Sequence, residues 1–411
     1  MKNLIKKFIL SLIVFGASLL TPVFAHAAEY YMSPIGNDNN SGSINSPFAS
    51  ISKAQAVASY GDTVFIMGGT YKNFNIASSD NTYNYVNNIT KSGITYRAFS
   101  SSDIPVFDFS TVPTNKRVAA FHIAKGVTDV TIATIDVTGV KVGNQKQSEC
   151  FRVEGNALLY EVTCHDTEAN GFYFVNNGTG YCTKCDAYNN IGATKFSIGN
   201  TDGFGAHGNG VVFQYCRSWN NSDDGFDCLT SKGTNTFDHC WAFNMNAGGD
   251  SNGFKIGGYA SGTPYDPVPV HTVYACLAAN NKAHGFYANH QPGQSAYWYN
   301  NTAYNNRGGN FDMLERVSIN DPTDIPGTRE IVHNNLSFNG IAIKDSNLPS
   351  KNVISNSWNI EGITVTASDF QSLDISELTK KRDYTNSDEL IPDVKFMHLV
   401  NGSDLKGLGC F

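Results

Sequence analysis

Five side chains in the middle of the chain have the types and spacing to do chemistry. The stretch NNSDDGFDCLT, residues 220–230, sets Asp223, Asp224 and Asp227 around a Gly-Phe pair, in a sequence where only 16% of residues are charged. Upstream, NTDGFG supplies Asp202; downstream, SNGFKIGG supplies Lys255. One Asp-Gly or Asn-Gly pair alone reads as an ordinary turn. Four carboxylates drawn together repel one another unless a cation sits among them. A carboxylate donor set without His or Cys points to a hard ion, and Ca²⁺ accepts a loose many-oxygen shell better than Mg²⁺ does. Lys255 by itself would be a solvated surface lysine, and only its place in a repeat singles it out.

That repeat also defines the elements that must position the five. Segments align on Cys164, Cys185, Cys216, Cys240 and Cys276, with Asn301 and Asn335 in the same column. Four positions on stand Asn189, Asn220, Asn244, Asn280, Asn305 and Asn339. A Gly-Phe or related pair accompanies the repeats and yields Phe172, Phe204, Phe226, Phe254, Phe286 and Phe311. One residue type recurring at irregular intervals is what stacked coils with variable loops produce. The runs are too short, and too rich in Asn, Gly and β-branched or aromatic residues, for helical repeats. The spacing predicts an all-β protein, a single parallel β-helix over residues 28–411. Stacking the Phe column puts Asp202 and Asp224 one coil apart, with Asp223 and Asp227 beside them and Lys255 directly over Asp227.

The Asn column reads as an amide ladder and the Cys column as a row of small buried side chains. The cysteines number nine, so at least one has no partner within the chain. Residues 51–59 read as a short N-terminal helix capping the open end of the core. Residues 394–409 read as a closing strand and turn, and residues 341–392 as irregular wrapping over the last coils. The first residues have the layout of a secretory signal peptide, with Lys2, Lys6 and Lys7, then an apolar run, then small residues ending at Ala27. No later stretch is apolar for long enough to span a bilayer, so release outside the cell is expected. The formal charge is −7, and removing the leader takes away three lysines and no acid. So acidic a chain is a poor nucleic-acid binder, and it must take the positive charge for any polyanionic partner locally or from a metal ion.

The motifs NTDGFG, NNSDDGFDC and SNGFKIGG resemble the active-site motifs of the family nine polysaccharide lyases, and the likeness covers essentially the whole mature chain. The resemblance implies a right-handed parallel β-helix, a secreted monomer, and Ca²⁺ bound by Asp202, Asp223, Asp224 and Asp227 with Lys255 as the base. It further implies polygalacturonate as substrate, cleaved by β-elimination to leave 4,5-unsaturated galacturonate ends, with an alkaline optimum. A polygalacturonase-type hydrolase would use paired carboxylates without metal or base. A non-catalytic, Ca²⁺-dependent carbohydrate-binding β-helix would give Lys255 no task. His207, His284 and His290 lie near the proposed face and could contact substrate, although an isolated turn histidine is more often structural. Arg217, Arg307 and Arg316 could bind further uronate carboxylates along a groove, although Arg217 follows a core column position and reads as pointing outward.

Overall fold

The computed structural model describes residues 27–258 and 266–411; the signal peptide expected over residues 1–27 lies, but for Ala27, outside the described residues. Among the described residues the chain winds into a parallel β-helix of three long sheets. Sheet I has twelve strands, from Glu29–Met32 to Val353–Ile354; sheet II has ten, from Gly69–Tyr71 to Leu336–Phe338; sheet III has eleven, from Ser78–Ser79 to Ile343–Lys344. The Phe column is the spine of the core. Phe121, Phe151, Phe172, Phe204, Phe226, Phe254, Phe286 and Phe311 stack face to face at centroid spacings of 4.7 to 5.4 Å. This is close to the strand repeat, so offset ring stacking and backbone pairing reinforce one register.

The Asn column has two physical jobs. Each of its six members adopts a left-handed turn conformation, φ between 50 and 56°, which Asn tolerates better than other non-glycine residues. Their amides also bond from coil to coil: Asn220 donates to Asn189 (2.7 Å), Asn280 to Asn244 (2.7 Å), Asn305 to Asn280 (3.0 Å) and Asn339 to Asn305 (2.9 Å). Buried neighbours continue the pattern inside, where Asn281 donates to Asn306 and Asn306 to Asn310 (both 2.9 Å). The aligned cysteines are buried, and all nine are free thiols.

The capping helix spans Ile51–Val57 and buries Ile51 and Ala54. Ser50 opens it by accepting from the Lys53 amide at 3.1 Å. It stops short of residue 59 because Asp62 takes the Ser59 amide at 2.8 Å, in competition with another helical turn.

The expected closing strand at residues 394–409 does not form. The C-terminal segment instead runs back over the outer face of sheet II, where Phe370, Leu378, Phe396, Met397 and Leu405 pack with Trp219, Trp241, Phe243 and Leu277. Those outward aromatics would otherwise face water, so the segment's apolar residues bury more area there than at the open end. Arg217 does leave the core, but it is 1% exposed beneath this wrap. It holds Asp186 through two bonds, 3.0 and 2.6 Å, and donates to the carbonyls of Leu378 and Lys380. Trp358 covers the last coil, its ring 5.2 Å from that of Phe311.

Candidate active site

Sheet III carries the site. Its register aligns Gly205, Asp227, Lys255, Tyr287, Asp312 and Lys344 as one row, each one coil from the last. Side chains alternate along a strand, so burying the phenylalanines inside turns the following residue outward. Lys255 therefore lies directly over Asp227, as the repeat requires. On the turn entering these strands, the Asp224 amide donates to Asp202 Oδ1 at 3.0 Å, which locks the two aspartates one above the other.

The four aspartates converge. Carboxylate oxygens of Asp202, Asp223 and Asp224 lie within 4.8 Å of one another, and so do ligand atoms of Asp202, His207 and Asp227. Lys255 Nζ stands 2.8 Å from Asp250, 3.2 Å from Asp224 and 3.8 Å from Asp227. Asp224 is fully buried; its Oδ1 accepts from the Asn252 amide and side chain (2.8 and 2.9 Å), while its Oδ2 has no hydrogen bond. Burial and its acidic neighbours push the Asp202 carboxyl well above the carboxylate range. The same causes push Asp223 up to about 8, and burial lifts Asp224 to about 6 against the pull of Lys255. Burial alone would lower the Lys255 ammonium, but Asp224, Asp227 and Asp250 outweigh it and raise the group. The cluster thus holds more negative charge than one lysine balances. Asp224 Oδ2 is the oxygen that faces Lys255, and the converging carboxylates of Asp202, Asp223 and Asp224 fit a divalent cation.

Two members were not legible as site residues. Asp250 lies in a loop outside the repeat, yet it pairs with Lys255 and its amide donates to Asp223 (2.6 Å). His207 reads from sequence as a turn histidine. Its Nδ1 meets the Leu229 carbonyl, so that nitrogen carries the proton and the buried Nε2, which has no partner, presents a lone pair beside Asp202 and Asp227. Gly205 makes the room: a Cβ there would lie 2.7 Å from the Tyr173 ring and 2.8 Å from that of His207. His290 is structural, buried against Glu330 at 2.9 Å. Arg316 pairs with Asp324 (3.3 Å), and Arg307 stands exposed in a polar groove beside Lys282.

A parallel β-helix whose outward row carries a cation-seeking acid cluster against a buried lysine defines a class of solenoid with a charge-dense site on one sheet. Residues 30–335 match the Pel9A-like, right-handed β-helix region, and the chain belongs to that family of polysaccharide lyases. It is 31% identical to pectate lyase L of Dickeya chrysanthemi, across 96% of this chain and 88% of the relative. It is 28% identical to pectate lyase L of Paenibacillus polymyxa, across 93% and 84%. Among solved structures, a rhamnogalacturonan lyase superposes with a TM-score of 0.82 at 32% identity, covering 93% of this chain and all of the other. Pectate lyase Pel9A superposes with a TM-score of 0.67 at 28% identity, covering 92% and 90%.

Proposed function

We propose that this protein is an exported pectate lyase that cleaves polygalacturonate by Ca²⁺-dependent β-elimination, with Lys255 as the base. The observation that carries the reading is Lys255 Nζ, buried in one row with Asp227 and within 3.8 Å of three carboxylates. The relatives named as pectate lyases support the substrate. In the reaction the base takes the C5 proton of a galacturonate. The C–H electron pair becomes the C4=C5 double bond, and the C4–O4 bond breaks to release the sugar on O4. The C5 proton is only weakly acidic, because charge arriving at C5 spreads onto a carboxylate that is already negative.

Asp202, Asp223, Asp224 and Asp227 would hold Ca²⁺, which when bound supplies positive charge for the substrate carboxylate and offsets the negative field that keeps Lys255 protonated. Lys255 is the proton acceptor and must be neutral to act, which gives a rate rising on the alkaline side. Asp250 orients the lysine from its exposed side, and the His207 Nε2 lone pair would join Asp202 and Asp227 as a ligand to the cation.

Likeness to the rhamnogalacturonan lyase favours a second substrate reading, the same elimination on a polymer in which a neutral sugar alternates with the uronate. The test is the ultraviolet absorbance of the unsaturated uronate, followed on both polymers with and without chelator, beside Lys255→Ala. Absorbance lost with chelator and with the variant is expected. New reducing ends without absorbance would mean hydrolysis and overturn the reading.

A further inference from the structure

Two coils beyond Lys255 on the same row, a pocket of about 220 Å³ opens between sheet III and an antiparallel hairpin, Leu314–Ser318 with Asp321–Pro326. Its walls include His284, Tyr287, Asp312 and Lys344 from sheet III, with Asp324 and Asp345 at the edges. The elimination chemistry uses none of them. Asp312 is 1% exposed; Lys344 Nζ and His284 Nδ1 both lie 3.2 Å from its Oδ2, and its Oδ1 is buried without a hydrogen-bond partner. An acceptor so buried and unsatisfied is costly unless a donor arrives from a ligand.

The charge balance narrows what that ligand is. Three carboxylates line the pocket: Asp324 is paired with Arg316, and Asp312 and Asp345 share the one ammonium of Lys344, 3.2 Å from each, which leaves one negative charge in excess. Arg316 is spent at the rim on Asp324 and Asn289. Burial and Lys344 hold His284 down at about 4, so the imidazole adds no positive charge at neutral pH. A uronate carboxylate placed here would meet net negative charge, whereas sugar hydroxyls would find an acceptor.

We propose that this pocket is a subsite for an uncharged sugar unit of the substrate, with Asp312 accepting its hydroxyls and Lys344 holding that carboxylate in place. It rests on the elimination reading for the polymer, and it makes Asp312 a specificity-determining residue that discriminates a mixed chain from an all-uronate one.

The test compares wild type with Asp312→Asn, and with Asp345→Asn as a variant whose exposed side chain puts folding at little risk. Two readouts are taken: kcat/KM on polygalacturonate and on a rhamnogalacturonan backbone, and calorimetric binding of an all-uronate and an alternating tetrasaccharide. Asp312→Asn should weaken the alternating probe about tenfold, the worth of one charge-assisted hydrogen bond, and leave the all-uronate probe equal or tighter. Asp345→Asn should tighten the all-uronate probe alone. Ratios unchanged within about twofold in both variants, with melting temperatures held, overturn the subsite. If Asp312→Asn does not fold, the ratio in Asp345→Asn decides. If neither polymer is cleaved the elimination reading falls, and the tetrasaccharide ratios still decide the pocket.

Discussion

Lys255→Met tests whether Lys255 and a divalent cation compensate the same charge. The Lys255 side chain is 11% exposed, and its ammonium faces three acids, one of them the fully buried Asp224. Removing one partner of a buried ion pair costs about 3–5 kcal/mol, because the other charge stays behind unpaired. For a folded unit near 385 residues, with unfolding entropy of about 2.1 cal/mol/K per residue, the melting temperature should fall by roughly 4 to 6 °C in chelator. Lysine loss also lets the aspartates keep their protons to higher pH. The folded variant then binds more protons than the unfolded chain between the ordinary carboxylate range and about 8, so its stability falls as pH rises through that window. The deficit should therefore be large at pH 8 and small at pH 5. Ca²⁺ at a hundredfold excess over its dissociation constant should return about 2.7 kcal/mol, most of what was lost. Differential scanning calorimetry at both pH values, with chelator and with Ca²⁺, reads all four conditions. A deficit that ignores both pH and Ca²⁺ would refute the shared-charge reasoning, whatever the variant's activity.

Ca²⁺ affinity should rise with pH between about 5 and 9, since Asp224 and Asp223 titrate near 6 and 8 and must lose their protons to coordinate; calorimetry in buffers of different ionisation heat would show the released protons. Gly205→Ala should displace His207 and crowd Tyr173, whose rings a Cβ would approach to 2.8 and 2.7 Å, and weaken Ca²⁺ binding at a cost in stability of about 1–3 kcal/mol. Arg217→Ala leaves Asp186 to Arg382 alone and the Leu378 and Lys380 carbonyls without their donor; it should cost about 1–3 kcal/mol, and limited proteolysis should then cut first near Leu378 to Lys380. Asn306→Ala removes the acceptor for the Asn281 amide and side chain, and denaturant unfolding should show a loss of about 2–4 kcal/mol.

What the sequence made legible follows the register. The Phe and Asn columns recur because every coil must satisfy the same stacking distance, and the columns alone place Asp227 under Lys255. The outward direction of Arg217 was legible too, because it follows an aligned cysteine, although nothing local says that the wrap will bury it against Asp186 one coil away. Asp250 was hidden because its loop has no counterpart in other coils. His207 was hidden because a lone turn histidine has no repeat to measure it against. The C-terminal wrap could not be placed, since its contacts with sheet II are irregular side-chain packing without period.

A stack of coils, each touching only its neighbours, would melt from its ends inward, one rung after another. The C-terminal wrap changes that. Tyr384 meets Thr163 at 2.6 Å, Arg382 and Arg217 share Asp186, and the Cys410 amide donates to Thr302 at 2.9 Å, so one strap clasps coils far apart in the stack. Fraying at the last coil then has to release a clasp anchored beside the site's own rungs. The solenoid is expected to unfold with longer-range cooperativity than a linear array, and the coils that carry Lys255 are clasped through sheet II, the neighbouring face of the same rungs.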